Sequence, residues 1–317
     1  MEVSAANLTA LFTGFDTRFQ EAFDKYPSYY EAIVTVVRSG TRQTTYPWLG
    51  RSLTMREWLG DRALQALEAH GFTIQNKNFE ATVGIDRNDI EDDTYGVYLP
   101  AIEELGRITK VHPDETLFTM LKNAVTTPNS VVGYDGQPFF SATHPVGPMG
   151  AGRRQTQASN VNSSGAGAYW FLIDASRAIR PFIYQLRRAY ISTRMTALTD
   201  EHVFNQRQFR YGVDGRDNVG TGLWQLVYAS NQDLSVPANY DAARAALRQV
   251  KTDGGLPFGA WSNRKGRFLV VPPSLEGTAR RLLHSELYAA PIGGATVAPI
   301  SNIWTNDADL IVSEYLE

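Results

Sequence analysis

There is no cysteine among the 317 residues, which removes disulfide staples, thiolate metal sites and a cysteine nucleophile together. Stability must come from packing and association. Histidine is scarce. His70, His112, His144, His202 and His284 are the five, and no two lie at the i, i+4 spacing of a zinc-binding helix, so no sequence-local metal site is expected. The chain also lacks a Gly-x-Ser-x-Gly elbow, a phosphate-cradling Gly-x-x-x-x-Gly-Lys and a full Gly-x-Gly-x-x-Gly, since Gly220-Thr221-Gly222 has no third glycine. No apolar run approaches the roughly 20 residues of a membrane helix. Met1-Glu2-Val3-Ser4-Ala5 carries no basic flank followed by an apolar stretch, so neither a signal nor a transit peptide is read there. The expectation is a chain that stays in the cytoplasm that makes it, without membrane contact, cofactor or metal. A surplus of positive charge is missing too. The formal net charge of -3 excludes the dense Lys and Arg excess of a dedicated nucleic-acid binder and leaves only weak, non-specific contact with DNA.

What is present is the composition of a soluble globular protein, 43% hydrophobic and 20% charged, long enough for one large domain or two lobes, of which two is the better starting point. The charges segregate along the chain. Asp86 to Glu104 holds seven acids against one arginine, whereas Arg177 to Arg216 holds eight arginines against three acids. Two solvated faces would account for this, because exposed ion pairs contribute little. Complementary surfaces on neighbouring copies would account for it equally, with charge setting register and rejecting wrong partners.

Leu8, Leu11, Phe12, Phe15, Phe19 and Phe23 share one helical face, with Ser4 or Asn7 as cap and Pro27 as the stop. Tyr30 to Val37 is rich in β-branched residues and predicts a strand. From Thr41 to Ile85 the chain is polar, aromatic and poorly periodic, apart from a short helix opened by Thr54-Met55-Arg56-Glu57 and alternation near its end. This stretch predicts a projecting hairpin-like arm whose backbone must be completed by another chain. A long helical stretch then runs to about Asn123, with bends or breaks expected at Gly96, Pro100, Gly106 and Pro113. Gly133 to Pro138 is a turn, and Gly147 to Gly167 a Gly, Ser and Asn-rich loop. Strands are expected at Tyr169–Ile173, Phe182–Tyr184 and Val203–Val213, the last pairing with Gly222–Tyr228 across Asp214–Asn218. Past Pro237 come a helix from Tyr240 to Val250, a strand Arg267–Val271, a helix Leu275–Leu287 capped by Ser274, and a strand at Leu310–Val312.

Three constellations carry types used in chemistry. Ser141-Ala142-Thr143-His144-Pro145 beside Asp135 has the residues of nucleophilic catalysis, but it sits in a turn between aromatics with no oxyanion arrangement, so a hydrogen-bonded structural histidine is the default. The acids from Asp86 to Asp93 lack the Asp and Gly positions of a calcium loop and suit helix capping better. Trp48, Trp58, Tyr95 and Tyr98 sit among acids, where stacking platforms for bases sit among cations, and so read as packing anchors.

Several stretches resemble the major head subunit of Mu-like bacteriophages, a family with the Hong Kong 97-type capsid fold. They are Thr45-Tyr46-Pro47-Trp48-Leu49-Gly50 with Glu57-Trp58-Leu59-Gly60, Glu68-Ala69-His70-Gly71 through Asn78 to Ile85, and Tyr134-Asp135-Gly136-Gln137-Pro138-Phe139-Phe140 with His144-Pro145. Leu172 to Arg177 with Arg180-Pro181-Phe182-Ile183, Gly222-Leu223-Trp224-Gln225, and Val270 to Glu276 continue the likeness in colinear order over nearly the whole chain. The resemblance implies an α+β capsid fold: an N-terminal arm over 1–40, an extended loop over 41–85, a peripheral domain with a long spine helix and β-hairpin over 86–235, an axial domain over 236–305 and a closing strand over 306–317. It implies no catalysis, but self-assembly into hexamers and pentamers of an icosahedral, DNA-containing head built in the bacterial cytoplasm. The partners it implies are a separate scaffolding protein, a portal and a decoration protein, and the lack of a coiled-coil leader before the arm favours a separate scaffold. Assembly contacts are expected at Phe12, Phe15, Phe19, Tyr46, Trp48, Trp58, Lys77, Asp92, Asp93, Arg180, Arg187 and Arg188. Some relatives weld their shells with Lys to Asn isopeptide bonds, and Lys77 lies between Asn76 and Asn78, but a lone surface lysine reads as solvated. The rival readings are a nanocompartment shell of the same fold and a soluble hydrolase using His144.

Overall fold

The computed structural model describes residues 2–46, 72–92, 94–146, 156–252, 256–291 and 297–317. The amphipathic N-terminal pattern forms helix α1 (Ala5–Lys25), whose Leu8, Phe12, Phe15 and Phe19 are buried and whose first turn is capped by the Ser4 side chain accepting the Asn7 N–H at 3.3 Å. The strand expected from Tyr30 opens instead as a single helical turn, α2 (Tyr30–Ile33), before β1 (Val34–Arg38). A buried carboxylate overrides local propensity there: Asp114 accepts the N–H groups of Tyr29 at 3.0 Å and Tyr30 at 2.6 Å. Burial holds the Asp114 carboxyl above its usual range despite those donors.

Two short strands, β2 (Gln43–Thr45) and β3 (Thr73–Gln75), pair antiparallel and lead to β4 (Lys77–Asp86). The Asp86 side chain caps α3 (Arg87–Glu91) by accepting the Asn88 N–H at 2.8 Å. Next comes α4 (Leu99–Thr126), 28 residues without interruption. The breaks expected at Pro100, Gly106 and Pro113 do not occur. Pro100 lies in the first turn, where no N–H partner is needed, and Pro113 forfeits one bond in a helix whose buried side chains hold it. Gly106 is a crossing point rather than a break: a Cβ there would lie 2.5 Å from the Phe19 carbonyl oxygen and 2.9 Å from the Ala22 Cβ. Its bare backbone lets α1 and α4 touch.

Beyond the turn at Gly133–Pro138, β5 (His144–Val146) and β6 (Thr156–Ala158) pair, followed by β7 (Val161–Asn162) and the wholly buried β8 (Trp170–Asp174). Then come β9 (Phe182–Met195), α5 (Glu201–Gln206), β10 (Gln208–Thr221) and β11 (Val227–Ser230). The hairpin expected across Asp214–Asn218 is corrected here. Those residues lie within β10, which pairs antiparallel with β4 over ten residues on one side and with β9 on the other, where the register shifts between Asp214 and Asp217. Val203 belongs to α5, and β11 joins a different sheet. The turn-forming residues misled because Gly215 serves a close contact beside a register shift rather than a chain reversal: a Cβ there would stand 2.5 Å from the Tyr190 ring.

The remaining elements are α6 (Pro237–Gln249), β12 (Arg267–Val271), α7 (Glu276–His284), the antiparallel pair β13 (Leu287–Pro291) and β14 (Val297–Ser301), and β15 (Asp309–Val312). Ser274 does not cap α7. Leu275 occupies the cap position, and the Ser274 N–H donates to the Glu317 carboxylate at 2.9 Å. Two main sheets result, β1-β9-β10-β4 and β15-β12-β8-β11-β7. The second takes strands from both sides of residue 236 and from the C-terminus, so the lobe expected over 236–305 shares its sheet with Trp170–Asp174, Val227–Ser230 and Asp309–Val312.

Two apolar cores follow. The larger spans both sheets, while a smaller one joins α1 to the start of α4 and to the sheet residues Ile85, Phe209, Tyr211 and Val213. Because Gly106 sits on that smaller core's seam, Gly106→Val should cost about 1–3 kcal/mol through overpacking and loosen α1 selectively. Amide exchange across residues 5–25 is the readout. Unchanged melting together with unchanged exchange there would contradict the packing described.

Candidate assembly surfaces

The arm expected over 41–85 has a well-built base. The Tyr46 N–H donates to the Phe72 carbonyl at 2.9 Å, and the hydroxyls of Thr45 and Thr73 lie 3.0 Å apart. Below them a buried amide ties the base to the first sheet: Gln185 accepts the Tyr46 hydroxyl at 2.7 Å and donates to the Ile74 carbonyl at 3.1 Å and the Asn76 side chain at 2.7 Å. Burial pushes the Tyr46 phenol up to about 12. Tyr46 is therefore an anchor within its own chain, a correction to its expected place in an inter-subunit contact. Trp48 and Trp58 lie outside the described residues. The expectation that all of 41–85 leaves its backbone unsatisfied fails for 77–85, which pairs along β10.

Phe12, Phe15 and Phe19 likewise pack inward. Phe12 meets the Phe209 and Tyr211 rings at 6.4 and 6.3 Å, and Phe15 and Phe19 meet Tyr211 edge-on. Asp16 fastens the same helix, accepting the Tyr211 hydroxyl at 2.8 Å and the Ser192 hydroxyl at 3.2 Å, with Arg194 at 3.3 Å. The apolar face of α1 is buried against its own chain. An apolar helical stripe shows that a face is buried, not which chain buries it.

The charged candidates divide. Arg180 is spent inside the chain, its guanidinium donating to the carbonyls of Glu31 and Val34. Arg187 donates to the Ser39 carbonyl at 3.2 Å while its side chain stays exposed, and Arg188 pairs with Asp214 on the open face of the sheet. Lys77 is exposed, in register with Asp217. Asp92 is exposed at the end of α3, and Asp93 lies outside the described residues.

One polar cluster was missed in the sequence. Asp217 is only 1% exposed and accepts the hydroxyls of Tyr184 at 2.5 Å and Tyr190 at 2.8 Å, while the Tyr190 hydroxyl also lies 2.7 Å from His112 Nδ1 on α4. Burial, reinforced by Asp217, drives both phenols above their usual range. The cluster locks the spine helix to the sheet, and a tyrosine-to-aspartate pairing between distant residues leaves no local pattern to find.

The Ser141–His144 turn resolves as architecture. His144 is fully buried, its Nδ1 2.6 Å from Asp135 and its Nε2 3.2 Å from the Asn160 side-chain oxygen, and its ring stacks on Trp224 at 3.9 Å. Ser141 pairs with the Thr143 hydroxyl instead of the imidazole, so no nucleophile faces a base. Among the described residues no cluster of three His, Asp or Glu could hold a metal ion, and no helix is long and apolar enough to cross a membrane.

A long helix lying under a four-stranded sheet, the paired strands β2 and β3 tied to that sheet and a second five-stranded sheet define a phage capsid subunit of the Hong Kong 97 type. The fold is that of the bacteriophage JBD30 procapsid subunit, with a TM-score of 0.80 and 38% identity over 99% of this chain and 100% of that one. The subunit of the JBD30 capsid matches with a TM-score of 0.73 and 27% identity over the whole of both chains. In sequence, the chain is 40% identical to the major capsid protein of Escherichia phage Mu over 100% of both chains. It is 41% identical to the Mu-like prophage FluMu major head subunit of Haemophilus influenzae over 97% of each. Residues 8–316 match the family described as Mu-like prophage major head subunit gpT, and the chain belongs to that family. It is a major capsid protein of the tailed-phage kind, a structural component of the virion and not an enzyme. Nothing in these likenesses supports the nanocompartment or hydrolase readings.

If His144 is structural, its loss is a matter of stability. His144→Ala should cost about 3 kcal/mol by leaving one buried oxygen of Asp135 without its imidazole partner and opening a gap beside Trp224. His144→Ala combined with Asp135→Ala should cost clearly less than the two single changes together, as interacting pairs do. Denaturant unfolding of the three variants measures this, and strict additivity would contradict the coupling.

Proposed function

We propose that copies of this chain form hexamers and pentamers that close into an icosahedral shell around DNA in the cytoplasm of a bacterial host. The observation that carries this reading is the full-length match to a subunit whose assembly is a procapsid. The body of the chain supports it, since every strand of the first sheet is paired within the chain while the stretch between Tyr46 and Phe72 departs from a built base. That stretch lies over an adjacent subunit in our reading, each contact modest and many acting together. Ring contacts are heterologous, one surface meeting a different one on the neighbour.

A scaffolding protein, a portal and a decoration protein complete the assembly. The last draws on JBD30, whose capsid is decorated with minor capsid protein trimers and whose subunit there matches with a TM-score of 0.71 and 26% identity. The better match to the procapsid subunit than to the capsid subunit supports reading the described conformation as the one adopted before the shell matures. Packaged DNA meets the shell weakly, as the net charge of -3 favours.

Because Tyr46 and Phe72 are already hydrogen-bonded neighbours, residues 47–71 can be replaced by a short Gly-Ser turn without stretching the body. The shortened chain should melt like the parent and remain a small soluble species, with no closed particles by electron microscopy. Normal shells from it would refute the role given to that stretch.

A further inference from the structure

A cavity of about 610 Å³ opens on the first sheet, and Arg187, Arg188, Arg216, Glu80 and Asp214 are among the residues that line it. Three cations face two acids there. Asp214 is occupied by Arg188, and Glu80 accepts the Thr82 hydroxyl at 3.0 Å. Arg216 is only half-exposed, its Nε is buried with no hydrogen-bond partner, and no ion pair to it occurs among the described residues. A guanidinium stripped of part of its water and given no acceptor is destabilising until an anion reaches it, and its planar fork matches a carboxylate.

The same chain carries the complementary charge at the far end of the same strand. Asp86 to Glu104 bears seven acids against one arginine, and Asp92, exposed where α3 ends, has no ion pair among the described residues. Within one copy the two cannot meet. Arg216 stands opposite Asn78 in the β10–β4 ladder, and Asp86, where the acidic segment starts, is eight residues further along β4, roughly 26 Å at the rise of an extended strand.

We propose that the Arg216 cavity is the socket for the acidic segment around Asp92 of a second copy, a head-to-tail contact that repeats around a ring. The inference rests on the capsid reading above and adds to it which surfaces meet. Such a contact is heterologous, which ring closure needs, and its charges select register more than they add affinity. A nucleic-acid phosphate is the occupant that a formal net charge of -3 favours less, and the test separates the two.

The test produces the full-length protein together with its scaffolding protein and counts closed particles by electron microscopy, with melting temperature as the control for folding. Arg216→Glu and Asp92→Arg should each lower particle yield at least tenfold while melting like the parent, and the double variant Arg216→Glu with Asp92→Arg should return to within about twofold of the parent. Arg216→Gln, which only removes the charge, should show a smaller loss and keeps the proposal testable if Arg216→Glu fails to fold. Parental yield from Arg216→Glu and Arg216→Gln would overturn the socket while leaving the capsid reading intact. Full yield with reduced packaged DNA would also overturn it, in favour of a phosphate site. Folded single variants that both fail, with no recovery in the double, would show that the two residues do not face each other. Absence of particles from the parent protein produced together with its scaffolding protein would instead count against the proposed closed shell.

Discussion

The elements around the first sheet are arranged about β10, a strand whose backbone is paired along both edges, by β9 on one side and by β4 on the other. Unpaired backbone groups in a buried sheet are costly, so this double pairing fixes the register of both neighbours. From it follow the seat of α1, through Phe209 and Tyr211, the seat of α4, through Tyr190 and Asp217, and the anchor of the arm base, through Gln185 on β9. The sheet is a platform, and the features that a shell would use are mounted on it.

This arrangement separates what the chain finishes alone from what it leaves open. The apolar stripe of α1, the phenol of Tyr46 and the guanidinium of Arg180 are all satisfied internally. Among what stays open on the described surface is charge, with the Arg216 cavity at one end of the strands and Asp92 beyond the other. A subunit that folds by itself and associates through many modest polar contacts can correct errors during assembly, which a sticky apolar interface would prevent.

How much of this could be read in the sequence depended on whether the cause was local. Helix α1, its Ser4 cap and the strands Trp170–Asp174, Arg267–Val271 and Asp309–Val312 follow from periodicity and flanking residues. The chain's kinship was legible in stretches such as Tyr134 to Phe140 and Val270 to Glu276, spread colinearly along it. Long-range causes were not legible. Gly215 and Asp214–Asn218 carry the composition of a turn, yet they extend because Tyr190 and two flanking strands need them extended. Tyr30 leaves the strand because a carboxylate more than eighty residues away caps its turn. Helix α4 runs through Pro113 because its buried face outweighs one lost bond. For the assembly surfaces the sequence showed which residues are aromatic or charged, but Phe12, Phe15, Phe19 and Tyr46 turned out to be occupied within the chain, since burial in a pattern does not say by which copy.

The claim on which the account stands is that the backbone of the body completes itself, so that a neighbour completes only the projecting stretch and the open charges. Hydrogen exchange on dissociated subunits and on closed shells of the same preparation tests it most directly. The amides of β4, β9 and β10 should be equally protected in both states, whereas those of residues 47–71 should gain protection only in the shell. Strong protection of 47–71 in the lone subunit, or amides of β4 that become protected only on assembly, would contradict it.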